Sequence, residues 1–370
     1  MKKKLVAIAV AGLLAAPMLA NAQTANVTIY GRINMDVDFI SSASNSSLGK
    51  LTRISSNTSR IGFKGTESLG GGLNAIFQVE SQFMGDGQGG GAAGAAILNN
   101  SLASRETWLG LQGNSWGAVK LGYMMTPYDD AQAIFGNTNT ALTSILQTGA
   151  LWGQDGPNSR TNGSFGARTA NAARYESPTI AGLTGKLQYS TDETANHAWV
   201  GTAGVFYDNA GLQAAVVYET NQEWRGADLK DQAVSVMAGY NFGVVRPALV
   251  YEYITYDMAG QSALTRNLVG GSVMVPLGAG KLYGAAIYAD RGRGAKTGNV
   301  GNVRAGKNTE ATQYELSYSY DLSKRTTAYV GYVYIDNGKA ATYSFGHNGN
   351  AGVAAGVDQQ GLIFGMVHFF

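Results

Sequence analysis

The sequence predicts an all-β chain that crosses a membrane as a closed antiparallel β-barrel of sixteen strands. Three observations carry this. Apolar residues recur with a period of two along most of the chain, short and long connections alternate, and no apolar run after residue 22 reaches the ~20 residues a spanning helix needs. Only helices and closed barrels satisfy their backbone groups in lipid, so a chain without such a run spans as a barrel or not at all.

The first residues set the compartment. Lys2, Lys3 and Lys4 precede an apolar run from Leu5 to Ala20, and Ala20-Asn21-Ala22 stands before Gln23. Basic, then apolar, then small-x-small is the pattern of a cleaved secretory signal peptide, expected over 1–22, with 23–370 as the barrel. The whole chain has 27 basic and 25 acidic side chains; without Lys2–Lys4 the count is 27 − 3 = 24 against 25. The positive net charge therefore belongs to the leader, and no nucleic-acid partner is expected. There is no cysteine, and the three histidines, His197, His347 and His368, are far apart, so no disulfide, metal site or cofactor is expected. Neither G-x-S-x-G nor H-E-x-x-H occurs, and Gly292-Arg-Gly-Ala-Lys-Thr297 lacks the glycine and the strand–helix frame of a phosphate loop. No catalytic set is seen, and the chain is not expected to be an enzyme.

Alternation then marks the strands. Val27, Ile29, Ile33, Val37 and Phe39 share one face of the first. Leu73, Ala75, Phe77 and Val79 alternate with Asn74, Gln78, Glu80 and Gln82. Leu183, Leu187 and Tyr189 alternate with Lys186, Gln188 and Ser190, and Tyr314, Leu316, Tyr318 and Tyr320 with Gln313, Glu315, Ser317 and Ser319. Short turns fall near 68–71, 114–115, 181–182, 208–210, 243–244, 278–280 and 322–324. Longer connections fall near 41–50, 85–101, 125–171, 192–197, 222–231, 257–264, 291–309 and 337–357. Seven short and eight long connections join sixteen strands, the plan of a barrel with short turns on one side of the membrane and loops on the other. Eighteen strands is the other count the spacing allows. The last strand ends on the stripe Leu362, Phe364, Met366, His368 and Phe370.

Several segments in order along the chain carry a family resemblance. They are Val27-Thr-Ile-Tyr-Gly-Arg32, Ser59-Arg-Ile-Gly-Phe-Lys-Gly-Thr-Glu67, Leu69-Gly-Gly-Gly-Leu73 and Arg105-Glu-Thr-Trp-Leu-Gly-Leu111. Gly117-Ala-Val-Lys-Leu-Gly122, Ala173-Arg-Tyr-Glu-Ser-Pro178 and the terminal Met366-Val-His-Phe-Phe370 complete the set. The chain resembles the trimeric sixteen-stranded general porins of Gram-negative outer membranes, in their β-proteobacterial form. The resemblance implies a homotrimer embedded in outer-membrane lipid. It also implies a water-filled channel for passive diffusion of ions and small hydrophilic solutes, and a third loop, 125–171, folded into the lumen. That loop lacks the Pro-Glu-Phe-Gly-Gly type of segment many relatives carry.

Charges at the narrowest ring set the selectivity of such a channel. Parity points Arg32, Asn34, Asp36 and Asp38 inward on the first strand, Arg60 and Lys64 on the second, Lys120 on the fifth, and Arg174 and Glu176 on the sixth. Arg105 is ambiguous: Trp108 outward would put it inward, while Leu109 and Leu111 argue the opposite, and the resemblance decides for inward. Arg60, Arg105 and Arg174 each lie some 7–9 residues from a short turn, which is ~16–21 Å up a tilted wall. The resemblance places Arg32 near the same basic cluster. Opposite stand the loop acids Asp129, Asp130 and Asp155, against Arg160 and Arg168. A basic wall facing few acids favours anions. The alternative is a substrate-specific channel for sugars or organic anions, selected by the loop and an aromatic track.

Overall fold

The computed structural model describes residues 26–42, 50–87, 102–136, 144–152, 163–193, 197–345 and 353–370. Residues 1–22 and the cleavage site before Gln23 lie outside the described residues, as do Asp155, Arg160 and His347. Strands run in chain order: β1 (Asn26–Ser42), β2 (Lys50–Ser56), β3 (Arg60–Gly70), β4 (Leu73–Gln82), β5 (Thr107–Gly113) and β6 (Gly117–Met125). After a short helix α1 (Pro127–Gln132) come β7 (Arg168–Glu176), β8 (Leu183–Thr191), β9 (Trp199–Asn209), β10 (Leu212–Gln222), β11 (Lys230–Tyr240) and β12 (Arg246–Tyr256). β13 (Leu264–Leu277) and β14 (Gly280–Ala289) lead to a small external hairpin, β15 (Asn299–Val300) and β16 (Val303–Arg304). β17 (Ala311–Asp321), β18 (Thr326–Asn337) and β19 (Gln359–Phe369) finish the wall.

Each wall strand pairs antiparallel with the next, and β1 closes the ring on β19. Gly31 and Phe370 exchange backbone hydrogen bonds at 3.0 and 3.1 Å at the seam. β2 and β3 are one wall strand interrupted at Asn57–Ser59, for β1 pairs with both in continuous register, Met35 opposite Ser56 and Arg32 opposite Arg60. Thr58 sits there at φ 49°. The described wall therefore has sixteen strands, and no helix among the described residues is long and apolar enough to cross a membrane.

The side chains follow the predicted parity. Ile29 and Leu316 are 60% and 58% exposed on the outside, while Asn34 and Glu219 are fully enclosed on the inside. The polar-inward, apolar-outward alternation gives each strand one face for hydrocarbon and one for the lumen. The connection after β6 runs 126–167, a few residues shorter than the sequence sets, because pairing resumes past an irregularity between Gly122 and Met124 and reaches Met125 opposite Arg168.

Candidate functional site

The described stretches of the connection, 126–136, 144–152 and 163–167, pack inside the barrel. Tyr128, Ile134, Phe135, Leu146, Leu151, Trp152 and Phe165 of this loop are buried. They share one apolar cluster with inward residues of the far wall, among them Val217, Met237, Val250, Ile254, Leu268, Ile287, Val333 and Ile363. Where the loop docks, both faces of the strands are apolar, and withdrawing a side chain of this size from water is worth about 1.5–3 kcal/mol. Polar tethers fix the course. Glu219 of β10 accepts from Thr126 Oγ1 at 2.5 Å and from the Gly166 amide at 3.2 Å, so one carboxylate holds both stems of the loop. Tyr128 donates to Glu252 at 2.7 Å; Glu252 in turn pairs with Arg266, which also donates to the Leu151 carbonyl. Burial first and then Glu252 push the Tyr128 hydroxyl well above its ordinary pKa, so it stays protonated and donating. Arg246 donates to the Ile134 carbonyl at 2.7 Å, and Ser272 to that of Phe135 at 2.9 Å.

The cations singled out in the sequence stand on the wall from β1 to β8, where their contacts divide them into two groups. In the first, Arg60 and Arg105 share Glu80 at 3.4 and 2.5 Å, and Tyr30 donates to the same carboxylate at 3.1 Å. Arg32 stands opposite Arg60 in the register. Its guanidinium donates to the Asn57 and Thr58 carbonyls, both at 3.3 Å, and to the Thr58 hydroxyl, so it braces the break between β2 and β3. In the second group, Arg174 contacts Glu176 at 2.8 Å, donates to Asp130 and donates to the Met125 carbonyl at 3.3 Å. Lys120 reaches Glu176 at 2.9 Å, and Lys186 reaches Asp130 at 2.8 Å. Burial at this junction opposes the charge on Asp130, but Arg174 and Lys186 outweigh it and hold the carboxyl below its ordinary pKa. Asp129 lies beside Asp130 in the first turn of α1. Lys64 adjoins the first group, exposed and seated over the Tyr30 ring at 5.2 Å.

Arg105 resolves the parity conflict. Leu109 and Leu111 do face outward, and Trp108 faces inward under Lys120. Arg105 reaches the lumen nonetheless because it precedes the regular strand. Glu80 donates its amide to the Glu106 carbonyl and accepts from the Arg105 amide, so two residues oppose one. Such a bulge resets the alternation and re-aims the side chain. The sequence-based set lacked Glu80 and Lys186 as members of the site, although both fall on inward positions by the same alternation. It lacked Glu219 and the Glu252–Arg266 pair because only the loop's folded course brings them to it.

A family model described as Gram-negative porin matches residues 7–340. The chain is 30% identical to outer membrane porin protein 32 of Delftia acidovorans, over 100% of both chains. Among solved structures it is similar to the anion-selective porin from Comamonas acidovorans, with a TM-score of 0.74 at 23% identity, over 94% of this chain and 100% of that one. It is also similar to the trimer form of OmpT, an outer-membrane protein of Vibrio cholerae, with a TM-score of 0.65 at 16% identity, over 94% and 99%.

Proposed function

The chain belongs to the Gram-negative porin family, and from that premise we propose that this outer-membrane channel passes small hydrophilic solutes with a preference for anions. It is a channel rather than an enzyme. The observation that carries the preference is the charge balance of the two groups on the β1–β8 wall. Arg32, Arg60, Arg105, Lys120, Arg174 and Lys186 face Glu80, Glu176 and Asp130, which is 6 − 3 = +3. Adding Arg168 at the foot of the loop, with Glu106 and Asp129, leaves 7 − 5 = +2. A unit charge acts with about 0.5 kcal/mol at ~8 Å even in bulk water, so a surplus of two or three changes ion partitioning severalfold in dilute salt. The anion selectivity named for the Comamonas acidovorans porin agrees with this reading.

Single-channel conductance in substituted salts tests it. Replacing chloride by acetate should lower the conductance more than replacing potassium by lithium does; the reverse order overturns the preference. The protein is further proposed to assemble as a homotrimer, as the trimer form of the Vibrio cholerae protein does. Native mass of the detergent-solubilised protein should equal three chains, and a mass of one chain would refute this.

A further inference from the structure

One arrangement recurs three times on the lumen side of the basic wall. Lys64 sits over the Tyr30 ring at 5.2 Å, Lys120 over the Trp108 ring at 4.7 Å and Lys186 over the Phe206 ring at 4.3 Å. Each includes an inward glycine. Gly62 is the register partner of Tyr30, Gly110 of Lys120 and Gly204 of Lys186. A Cβ on Gly62 would lie 2.4 Å from the Tyr30 ring, and one on Gly204 would lie 2.7 Å from the Phe206 ring. A Cβ on Gly110 would lie 3.2 Å from the Lys120 stem. The missing side chains let ring and lysine lie against the wall. Tyr30, Trp108, Phe206, Lys120 and Lys186 are half-buried and Lys64 is exposed, so all three pairs remain open to the lumen. They also lie toward the short-turn ends of their strands, Lys120 level with its register partner Arg174 and Lys186 two residues nearer its turn than Gln188, the partner of Arg174 on the other side. Lys64 is four residues nearer its turn than Arg60, and Lys120 and Lys186 stand close to the turns before β6 and β8.

We propose that these three ring–lysine pairs are stations for aromatic carboxylates passing along the basic wall, an inference that rests on the anion preference above. Each pair offers an ammonium for the carboxylate and, next to it, an aromatic surface. A benzoate-like ion paired with the ammonium brings its own ring alongside in the offset or edge geometry aromatic pairs adopt. Lys120 and Lys186 also serve Glu176 and Asp130, which keeps their hold on a passing ion weak. Several weak sites in series are what conduction of a bound ion requires.

The test compares benzoate with cyclohexanecarboxylate, equal in charge and similar in size but without a π face, as blockers of chloride current through the whole channel in a bilayer. Benzoate should block about threefold to tenfold more tightly, the worth of one aromatic pair. That ratio should fall to about one in the Tyr30→Leu, Trp108→Leu, Phe206→Leu triple variant, which removes all three rings. In the Lys120→Gln, Lys186→Gln variant both blockers should weaken together. A ratio near one in the wild type, or a ratio that survives loss of all three rings, overturns the proposal. The wild-type ratio alone decides the matter should the leucine variant fail to insert. The KCl reversal potential of the same channels separates the two claims: an anion-selective wild type that does not discriminate sinks the stations alone, and a cation-selective one sinks the preference beneath them.

Discussion

Three inward arginines that look alike in the sequence differ in what surrounds them. Arg32 is enclosed and braces the carbonyls of Asn57 and Thr58. Arg174 is locked between Asp130, Glu176 and the Met125 carbonyl, and so joins the loop to the wall. Arg60 keeps 28% of its side chain exposed beside a carboxylate it shares. The Arg174 junction predicts an acid response. Asp130 has a folded-state pKa below its ordinary value of 3.8, so its contribution to loop docking is complete above that value. It is lost as pH falls through the lowered folded value, because only then does the folded state take up the proton. Conductance should stay level from pH 7 to about 5 and change only below about pH 4, and Asp130→Asn should remove that change. A step between pH 5 and 7 that Asp130→Asn abolishes would contradict this assignment.

At the scale of single elements, alternation was the most legible signal. It placed Leu316 outward and Ser317 inward on β17, where Leu316 is exposed and Ser317 buried. Leu316→Arg should therefore impair insertion, since a charge on the lipid face costs about 2–4 kcal/mol near the midplane, whereas Ser319→Arg, inward by the same alternation but only half-buried, should be tolerated. Yield of heat-modifiable, folded protein in membranes measures both, and equal yields would break the register assigned to β17. Tyr318 is a poorer probe of the lipid face because its ring covers Gly280. Alternation failed at Arg105, where the bulge opposite Glu80 adds a residue that no local pattern announces. The course of the loop 126–167 was not legible either. It depends on apolar inward positions scattered over nine strands, such as Val217, Val250 and Val333, whose common neighbour exists only in the closed barrel.

Across the whole molecule, the count of sixteen strands and the order of short turns and long loops were readable because both follow from local pattern. The near-neutral charge of the sequence after Lys4 gave no sign of selectivity, for the sign of the pore is set by where charges stand. The wall from β1 to β8 carries the six cations of the two groups, and the opposite wall carries the apolar cluster of the loop. Arg60 is the clean lever on that asymmetry, being wet, inward and remote from the loop tethers. Arg60→Glu changes the balance of the two groups from 6 − 3 = +3 to 5 − 4 = +1. The most direct measurement is the reversal potential across a bilayer in a dilute KCl gradient, wild type beside Arg60→Glu. The wild type should reverse on the chloride side of zero and the variant should move toward the potassium side, with the shift shrinking as salt screens the charge. A wild type that reverses on the potassium side, or a variant that leaves the potential where it was, would show that the basic wall does not govern the pore.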